Sequence, residues 1–504
     1  MSLGAIGHRA LSPVQLAFRP HSRNLGTRVV NSAMFTMAGV LFRSVLTIAS
    51  MAILARLLTP SDFGIIAMAT VITELAAVFS NFGFGSILIQ RKSISRIQID
   101  TMHWCAMALG LVLTVLVFLL SLAAGSLFNN ATVGDLLRLL ALSFILEELT
   151  MVPRSLMARR MQFRLDFYVQ AAMLLGRSGA AVALALAGFG VWSLAIGPVL
   201  GLLIQALAYQ WLSGYWPRLR FSRSFLASTW RTNGSHFGNG ILFYLNANLD
   251  TFIIGRMLGA ATLGSYQNAR SLTDEIRVRM VQPLQRVLFP AFSAIQADLE
   301  RFQQGVLRTG RLLGFVFLPV GVGMATEAET LIRILYGDQW LAMIPLLQLL
   351  ALTTGFSAVG SIANAIFNAR NAIGQAFRLF LLTTAANTLF ILVGSLWGLD
   401  GVVWSRVAMV PVSLFFLYQA LRLVSLGWRQ VLDMLAGPTL AAGLMGAAML
   451  AADAQVRALA APLGLHLLLK VGLGAALYLA LAPLLARPHL REFGLVFTKI
   501  GRKS

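Results

Sequence analysis

The chain has a single cysteine, Cys105, and it lies inside an apolar stretch. That excludes a disulfide framework and a cysteine-based metal site, and leaves packing as its role. Charge is scarce too: Asp, Glu, Lys and Arg make up 12% of the 504 residues, against 58% hydrophobic ones. Soluble domains carry about twice that charge, so a soluble chain is excluded. Acids are the scarcer sign, 19 against 40 basic residues, for a formal net charge of +21. No Walker-type Gly-Lys-Ser/Thr loop appears, which argues against ATP hydrolysis by the chain itself. A zinc-binding His-Glu-x-x-His and a Gly-x-Ser-x-Gly elbow are likewise missing. With no lipidation motif and no small-residue cleavage site, Arg9, Arg19, Arg23 and Arg28 are expected to form a retained basic tail.

What is present is a succession of long apolar runs, with a mean hydropathy of +0.76. In hydrocarbon every backbone polar group needs an internal partner, so only helices or a closed barrel can cross. Runs of roughly 20 residues select helices, because a barrel shows short alternating segments. Apolar runs bounded by charge, Pro or Gly predict helices near 31–57, 62–88, 101–125, 133–153, 167–188, 190–213 and 233–258. Seven more are expected near 262–291, 304–326, 342–367, 373–396, 401–421, 434–452 and 464–486.

The basic residues fall in alternate loops. Arg91, Lys92 and Arg96 follow the second run; Arg154, Arg159, Arg160 and Arg164 the fourth; Arg218, Arg220, Arg223 and Arg231 the sixth. The pattern continues with Arg301 and Arg308, Arg370 and Arg378, Arg422 and Arg429, and a tail holding Arg487, Arg491, Lys499, Arg502 and Lys503. Loops of the other set, such as 125–132, have few or none. By the positive-inside rule the basic loops and both termini are cytoplasmic in a plasma membrane. Clusters between apolar runs also argue against nucleic acid, which needs one extended basic face.

The halves echo each other. Ile53-Leu-Ala-Arg-Leu-Leu58 followed by Gly64 matches Ile253-Ile-Gly-Arg-Met-Leu258 followed by Gly264, so Arg56/Arg256, Leu58/Leu258 and Gly64/Gly264 share one offset. Gly190-Val-Trp-Ser193 is repeated as Val402-Val-Trp-Ser405. Six helices separate the copies, and an even number restores orientation, as in parallel repeats of transporters. The expected organisation is a basic tail over 1–30, a six-helix lobe over 31–213 and a basic linker over 214–232. A second six-helix lobe over 233–421, an extra helix pair over 422–486 and a basic tail over 487–504 follow. The expected fold is therefore an all-α membrane protein of about fourteen helices, with two parallel lobes around a central cavity plus two C-terminal helices.

Ala55-Arg-Leu-Leu-Thr-Pro-Ser-Asp-Phe-Gly64, then Phe79-Ser-Asn-Phe-Gly-Phe-Gly-Ser-Ile-Leu-Ile-Gln-Arg-Lys92, resembles a known family. Gly255-Arg-Met-Leu-Gly-Ala-Ala-Thr-Leu-Gly-Ser-Tyr266, Val287-Leu-Phe-Pro-Ala-Phe-Ser-Ala-Ile-Gln296 and the paired Trp-Ser echoes agree with it. The family is the polysaccharide transporter branch of the multidrug/oligosaccharidyl-lipid/polysaccharide flippase superfamily, and the similarity covers the first twelve helices. The resemblance implies a transporter, not an enzyme, that carries undecaprenyl-pyrophosphate-linked oligosaccharides across the inner membrane by alternating access without a cofactor. It also implies working alongside polysaccharide polymerase and chain-length machinery.

Ionisable residues at bilayer depth cost from roughly 2.5 to more than 10 kcal/mol, so they need a wet cavity or a partner. Thr36, Arg43, Thr47 and Ser50 share one helical face; Thr70, Glu74 and Asn81, then Ser143, Glu147 and Thr150, then Gln170 and Arg177 form similar stripes. The seventh run carries His236, Asn239, Asn246 and Asp250, and the eighth Arg270, Asp274 and Arg277, with Glu275 and Arg279 spaced to pair. A pyrophosphate headgroup needs permanent positive charge and paired donors, which arginine supplies. Arg43, Arg177, Arg270 and Arg277 are therefore candidate headgroup ligands, and Asn246 with the Ser, Thr and Gln stripes candidate sugar ligands. Glu74, Glu147, Glu148, Asp250 and Asp274 are candidates for coupling to H+ or Na+; static pairing is the alternative for each. His103, His466 and Lys470 stand isolated and read as packed or cavity-facing polar residues.

Three alternatives stay open, one of them a non-transporting scaffold in the polysaccharide assembly complex. A cation-coupled drug exporter of the same superfamily shares the lobes, and a membrane glycosyltransferase or polymerase would act on the same carrier but needs a long outer loop.

Overall fold

The computed structural model describes residues 25–80, 84–91, 93–226, 237–458 and 462–493. Its first helices are α1 (Leu25–Leu57), α2 (Pro60–Ser80), α3 (Phe84–Gln90), α4 (Arg96–Leu127), α5 (Ala131–Arg159), α6 (Phe163–Leu186) and α7 (Trp192–Ser213). There follow α8 (Phe237–Ala294), α9 (Leu299–Thr326), α10 (Ala328–Leu335), a 3₁₀ turn (Asp338–Met343), α11 (Ile344–Gly360) and α12 (Ile362–Ala369). The chain continues with α13 (Ile373–Ser395), α14 (Gly398–Arg422), α15 (Trp428–Ala451), α16 (Asp453–Ala458) and α17 (Leu463–Leu485). Among the described residues ten helical segments are long and apolar enough to cross a membrane, and the protein is an all-helical, multi-pass membrane protein. The long helix α5 is outside that set because Asp135, Arg138, Glu147, Glu148, Arg154 and Arg159 interrupt its apolar surface.

Two of the expected segments, 233–258 and 262–291, are joined as α8. Gly259, with φ of 81°, breaks the helical run between them, a conformation that side chains other than glycine's adopt only with strain. The segment expected at 342–367 lies within one candidate span, 338–369, built from the 3₁₀ turn, α11 and α12.

The chain separates into two compact units, one of residues 1–58 with 65–248, the other of 59–64 with 249–504. In the first, α4 packs on α5, α6 on α7 and α1 on α6. In the second, α9 packs on α11 and α15, α13 on α14, and α15 on α17. The second unit's core runs from Phe302, Val306 and Phe317 to Leu417, Met434 and Tyr478, all nearly inaccessible.

Local chemistry explains the Leu-Thr-Pro-Ser-Asp-Phe-Gly signature. Thr59 N–H and Oγ1 donate to Asp62 Oδ2 at 2.9 and 2.8 Å, and Asp62 N–H donates back to Thr59 Oγ1 at 3.3 Å. This reciprocal cap satisfies donors at the start of α2, and Pro60 takes the first turn, where its missing N–H costs nothing. Gly64 then meets the chain near Ala260. A β-carbon there would lie 1.7 Å from the Ala260 carbonyl oxygen, and one on Gly264 would lie 1.8 Å from that of Pro60. The echoed glycines thus make one reciprocal backbone contact that only hydrogen side chains allow.

The loop arginines also close helix ends. Buried Arg159 donates from Nη1 to the Leu88 and Arg91 carbonyls at 2.9 and 2.5 Å, covering the end of α3. Arg160 donates to Ser213 O at 3.2 Å, Arg96 to Trp216 O, and Arg370 to Gln296 O at 3.0 Å. Cations at the carbonyl ends of helices satisfy orphan acceptors and complement the helix dipole.

Candidate functional site

The strongest polar constellation lies in the second unit, around Asp250 on α8. Its side chain is 2% exposed, so an unpaired carboxylate there would cost several kcal/mol. Four donors meet it. Arg270 Nη1, Arg406 Nη2 and Tyr266 Oη each lie 2.6 Å from Asp250 Oδ2, and Thr251 N–H donates to Oδ1 at 2.8 Å. Arg406 extends the network by donating Nη1 to Asn387 Oδ1 at 2.9 Å, with its guanidinium 5.4 Å from the centre of the Tyr266 ring. The arrangement comes from three helices: α8 turns Asp250, Tyr266 and Arg270 inward on both sides of its Gly259 break, while α13 and α14 bring Asn387 and Arg406.

Two guanidiniums share this one buried carboxylate. Asp274 reaches Arg270 Nε only at 3.4 Å and is 36% exposed, a pairing that solvent weakens. Asp250 with Arg270 and Arg406 thus sets one buried acid against two guanidiniums, and Asp274 supplies a second acid at the partly exposed edge. Arg406 Nε is buried without a hydrogen-bond partner, an orphan donor of the sort that a bound oxyanion would satisfy.

The first unit arranges its arginines differently. Arg43 on α1 and Arg177 on α6 are exposed on the isolated chain, and neither makes an ion pair among the described residues. The two lie near enough to repel each other. Gly197 and Gly201 bring α7 close to α6 at this level: β-carbons there would lie 2.9 Å from Arg177 O and 2.8 Å from Arg177 Cβ. Arg177 thus projects from a closely packed pair of helices.

The other expected residues are dispersed. Asn246 is partly buried and Glu74 exposed. Glu147 is exposed, whereas its neighbour Glu148 is buried against Gly110, where a β-carbon would lie 3.0 Å from Glu148 Cγ. Of the hydroxyl stripes, Ser50, Thr70 and Thr150 donate to carbonyls of their own helices, so those protons are already engaged. Gln170 donates to Tyr209 Oη at 3.0 Å, and Tyr209 to Asp166 Oδ1 at 2.5 Å. The side chains of Thr36, Asn239, Arg277 and Arg279, and all of Asn81 and His236, lie outside the described residues. No group of three His, Cys, Asp or Glu among the described residues is placed to hold a metal.

Sequence reasoning brought Asp250 and Arg270 forward separately and missed Arg406, Asn387 and Tyr266. Arg406 follows directly on the Trp404-Ser405 echo, so an arginine at the sixth position of the predicted helix 401–421 was the available signal. His466 and Lys470 are not isolated as expected. They meet Glu327 and Asp453 in a second buried polar group.

The fold is one known from solved structures. The lipid II flippase MurJ in an inward closed conformation superposes with a TM-score of 0.72 at 15% identity, covering 91% of this chain and all of that one. An inward-facing multidrug resistance MATE transporter follows with a TM-score of 0.57 at 15% identity, over 76% of this chain and 94% of that one. The class is thus the MurJ/MATE-like fold of multi-helix membrane transporters.

Sequence comparison narrows it. Residues 53–345 match the family model described as polysaccharide biosynthesis protein, and the chain belongs to that family. Among its relatives, the lipopolysaccharide biosynthesis protein WzxC of Escherichia coli (strain K12) is 29% identical over 362 residues, which is 70% of this chain and 73% of the relative. The succinoglycan biosynthesis transport protein ExoT of Rhizobium meliloti (strain 1021) is 28% identical over 305 residues, 60% of this chain and 61% of the relative. The protein is a flippase-type transporter of polysaccharide biosynthesis, not an enzyme.

Proposed function

We propose that the protein moves an undecaprenyl-pyrophosphate-linked oligosaccharide from the cytoplasmic to the periplasmic leaflet of a bacterial inner membrane by alternating access. The observation that carries this reading is the pair Arg270 and Arg406 on one buried carboxylate, with an unspent guanidinium donor on Arg406. A pyrophosphate brings oxygens that match arginine's paired donors, and desolvation strengthens such contacts. Arg43 and Arg177, with no ion pair among the described residues, are the first unit's headgroup ligands; Asn246 and Arg277 are the remaining substrate-ligand candidates read from the sequence. Sugars bind through neutral amides and hydroxyls, and the polyprenyl tail stays in lipid. Glu74, Glu147, Asp250 and Asp274 are the coupling candidates read from the sequence. Of these, Asp250 is already engaged by four donors, which favours a fixed counter-charge there.

The helical segments are read as fourteen spans, six in each lobe and two at the end, with both termini cytoplasmic. Polysaccharide polymerase and chain-length proteins are the expected partners on the product side. The test is reconstitution of the purified chain in liposomes with a labelled undecaprenyl-pyrophosphate oligosaccharide, following its accessibility in the opposite leaflet. Protein-dependent movement is the expected outcome. No movement across a panel of sugars, with cation-driven drug efflux in the same vesicles, would overturn the reading in favour of an exporter.

A further inference from the structure

The first unit contains a buried carboxyl group that the headgroup arginines do not use. Glu148 lies about 16 Å along α5 from Arg159 at the helix end, which on the fourteen-span reading is mid-bilayer. It is 5% exposed, and among the described residues it makes no hydrogen bond and no ion pair. The packing is shaped around it. Gly110 on α4 faces Glu148, and a β-carbon there would lie 3.0 Å from Glu148 Cγ and 3.2 Å from its Cβ. One turn further along α4, Thr114 Oγ1 lies 2.8 Å from Gly110 O and 3.0 Å from Ala141 O, which ties the two helices together.

The elements packed on α5 bring no counter-ion. On α5 itself the charge that acts on Glu148 is Glu147, a second carboxylate, which is exposed and offset by Arg154; Asp135 and Arg138 pair with each other at 2.8 Å. Neither α3 nor α7 has a charged residue. On α4, Asp100 meets Arg96 at 3.3 Å and Tyr215 Oη at 2.9 Å, His103 packs on Tyr215 about 10 Å along the helix from Gly110, and Cys105 is a thiol. On α6, Arg164 lies over Tyr168, Asp166 accepts from Tyr209 on α7 at 2.5 Å, and Arg177 lies near Arg43. An ionised Glu148 would thus be desolvated beside a like charge with no partner to repay the loss, and the protonated group avoids that cost. A hard cation would need several oxygen ligands converging on it, whereas Glu147, the adjacent acid, is on the exposed side.

We propose that Glu148 is a proton-binding site of the first unit, holding its proton in this conformation and releasing it when movement of α4 against α5 at Gly110 admits water, so that transport is coupled to the proton gradient. The coupling rests on the flippase reading; proton binding does not. Three measurements on the full chain test it. Dicyclohexylcarbodiimide, which adds to protonated carboxyls in apolar surroundings, labels Glu148 of the purified protein at neutral pH, read by mass spectrometry. Infrared spectra at the same pH contain the carbonyl stretch of a protonated carboxyl, which Glu148→Gln removes and Glu147→Gln retains. In proteoliposomes, a pH gradient acid on the side to which the lipid-linked oligosaccharide moves raises wild-type flipping by up to about tenfold per pH unit. In Glu148→Gln the ratio of rates with and without the gradient falls to about one.

An unlabelled Glu148, a carboxyl band that survives Glu148→Gln, acceleration retained in that variant, or a wild type driven by sodium alone overturns the proposal. Labelling and a lost band in a chain that moves no lipid leave the proton site standing and overturn the flippase reading. The labelling reads the wild-type chain, so the test stands if Glu148→Gln fails to fold.

Discussion

The two units treat arginine in opposite ways. Arg43 and Arg177 in the first stand exposed, near each other and without an acid among the described residues. Arg270 and Arg406 in the second are clamped to buried Asp250. In the first arrangement two like charges lie near each other, and on the proposed function an arriving anion would relieve their repulsion. The second is preorganised: its donors are already aimed, and the cost of holding two cations together is met by one carboxylate. On the proposed function, a headgroup would bind the first by neutralising it and the second by completing it.

The largest expected break in this contrast is Asp250→Ala. Removing the shared acid leaves two guanidiniums uncompensated and is predicted to cost about 3–5 kcal/mol in unfolding of the purified protein, whereas Arg43→Ala and Arg177→Ala leave stability unchanged. In cells, Arg43→Ala and Arg270→Ala abolish polysaccharide export at normal membrane levels; full export by both would remove the headgroup assignment. Next comes Arg406→Lys. Lysine cannot reach Asp250 and Asn387 together, so about 1.5–3 kcal/mol of stability is lost, while Arg177→Lys keeps its charge and costs nothing by the same melt.

Thr47→Asp sharpens the comparison by installing an acid one turn from Arg43. A pair of this spacing is worth about 0.2–0.5 kcal/mol and should raise the substrate concentration needed for half-maximal flipping about twofold; unchanged kinetics would show that Arg43 does not meet the anion.

The smallest effect is pH-dependent and belongs to the second unit's margin. His489, beyond the last span, is buried with Nε2 3.2 Å from Met434 O, and burial lowers its pKa from the ordinary 6.5, with Arg311 acting in the same direction and the Met434 bond and Asp433 opposing. The unfolded chain then binds a proton that the folded chain refuses, so stability contributed by neutral His489 is complete above pH 6.5 and declines as the pH falls towards the folded value. His489→Asn should flatten that acid limb in melts from pH 8 to 5.

Much of the fold was legible because hydropathy and loop charge are local signals. Most described helices fall within the predicted apolar runs, ten of them long and apolar enough to cross, and the echo at Gly64 and Gly264 marks a close backbone contact. Partnerships were not legible. Asp250 and Arg270 were visible as ionisable residues in apolar runs, yet Arg406 reaches Asp250 from 156 residues away, and no spacing rule encodes that approach. Lys470 looked solitary for the same reason, since its acids come from α9 and α16. The loop arginines were read from the sequence only for orientation; the closing of helix ends by Arg159 and Arg160 depends on tertiary approach.

The reciprocal contact of Gly64 with Ala260 and of Gly264 with Pro60 has a historical consequence. Each motif copy is both knob and socket for the other, the self-complementary pattern of a two-fold dimer interface. A half-length ancestor carrying one copy would have made this same contact between separate molecules. Within a single polypeptide the same contact no longer depends on concentration, and each glycine is bound to the fate of its twin.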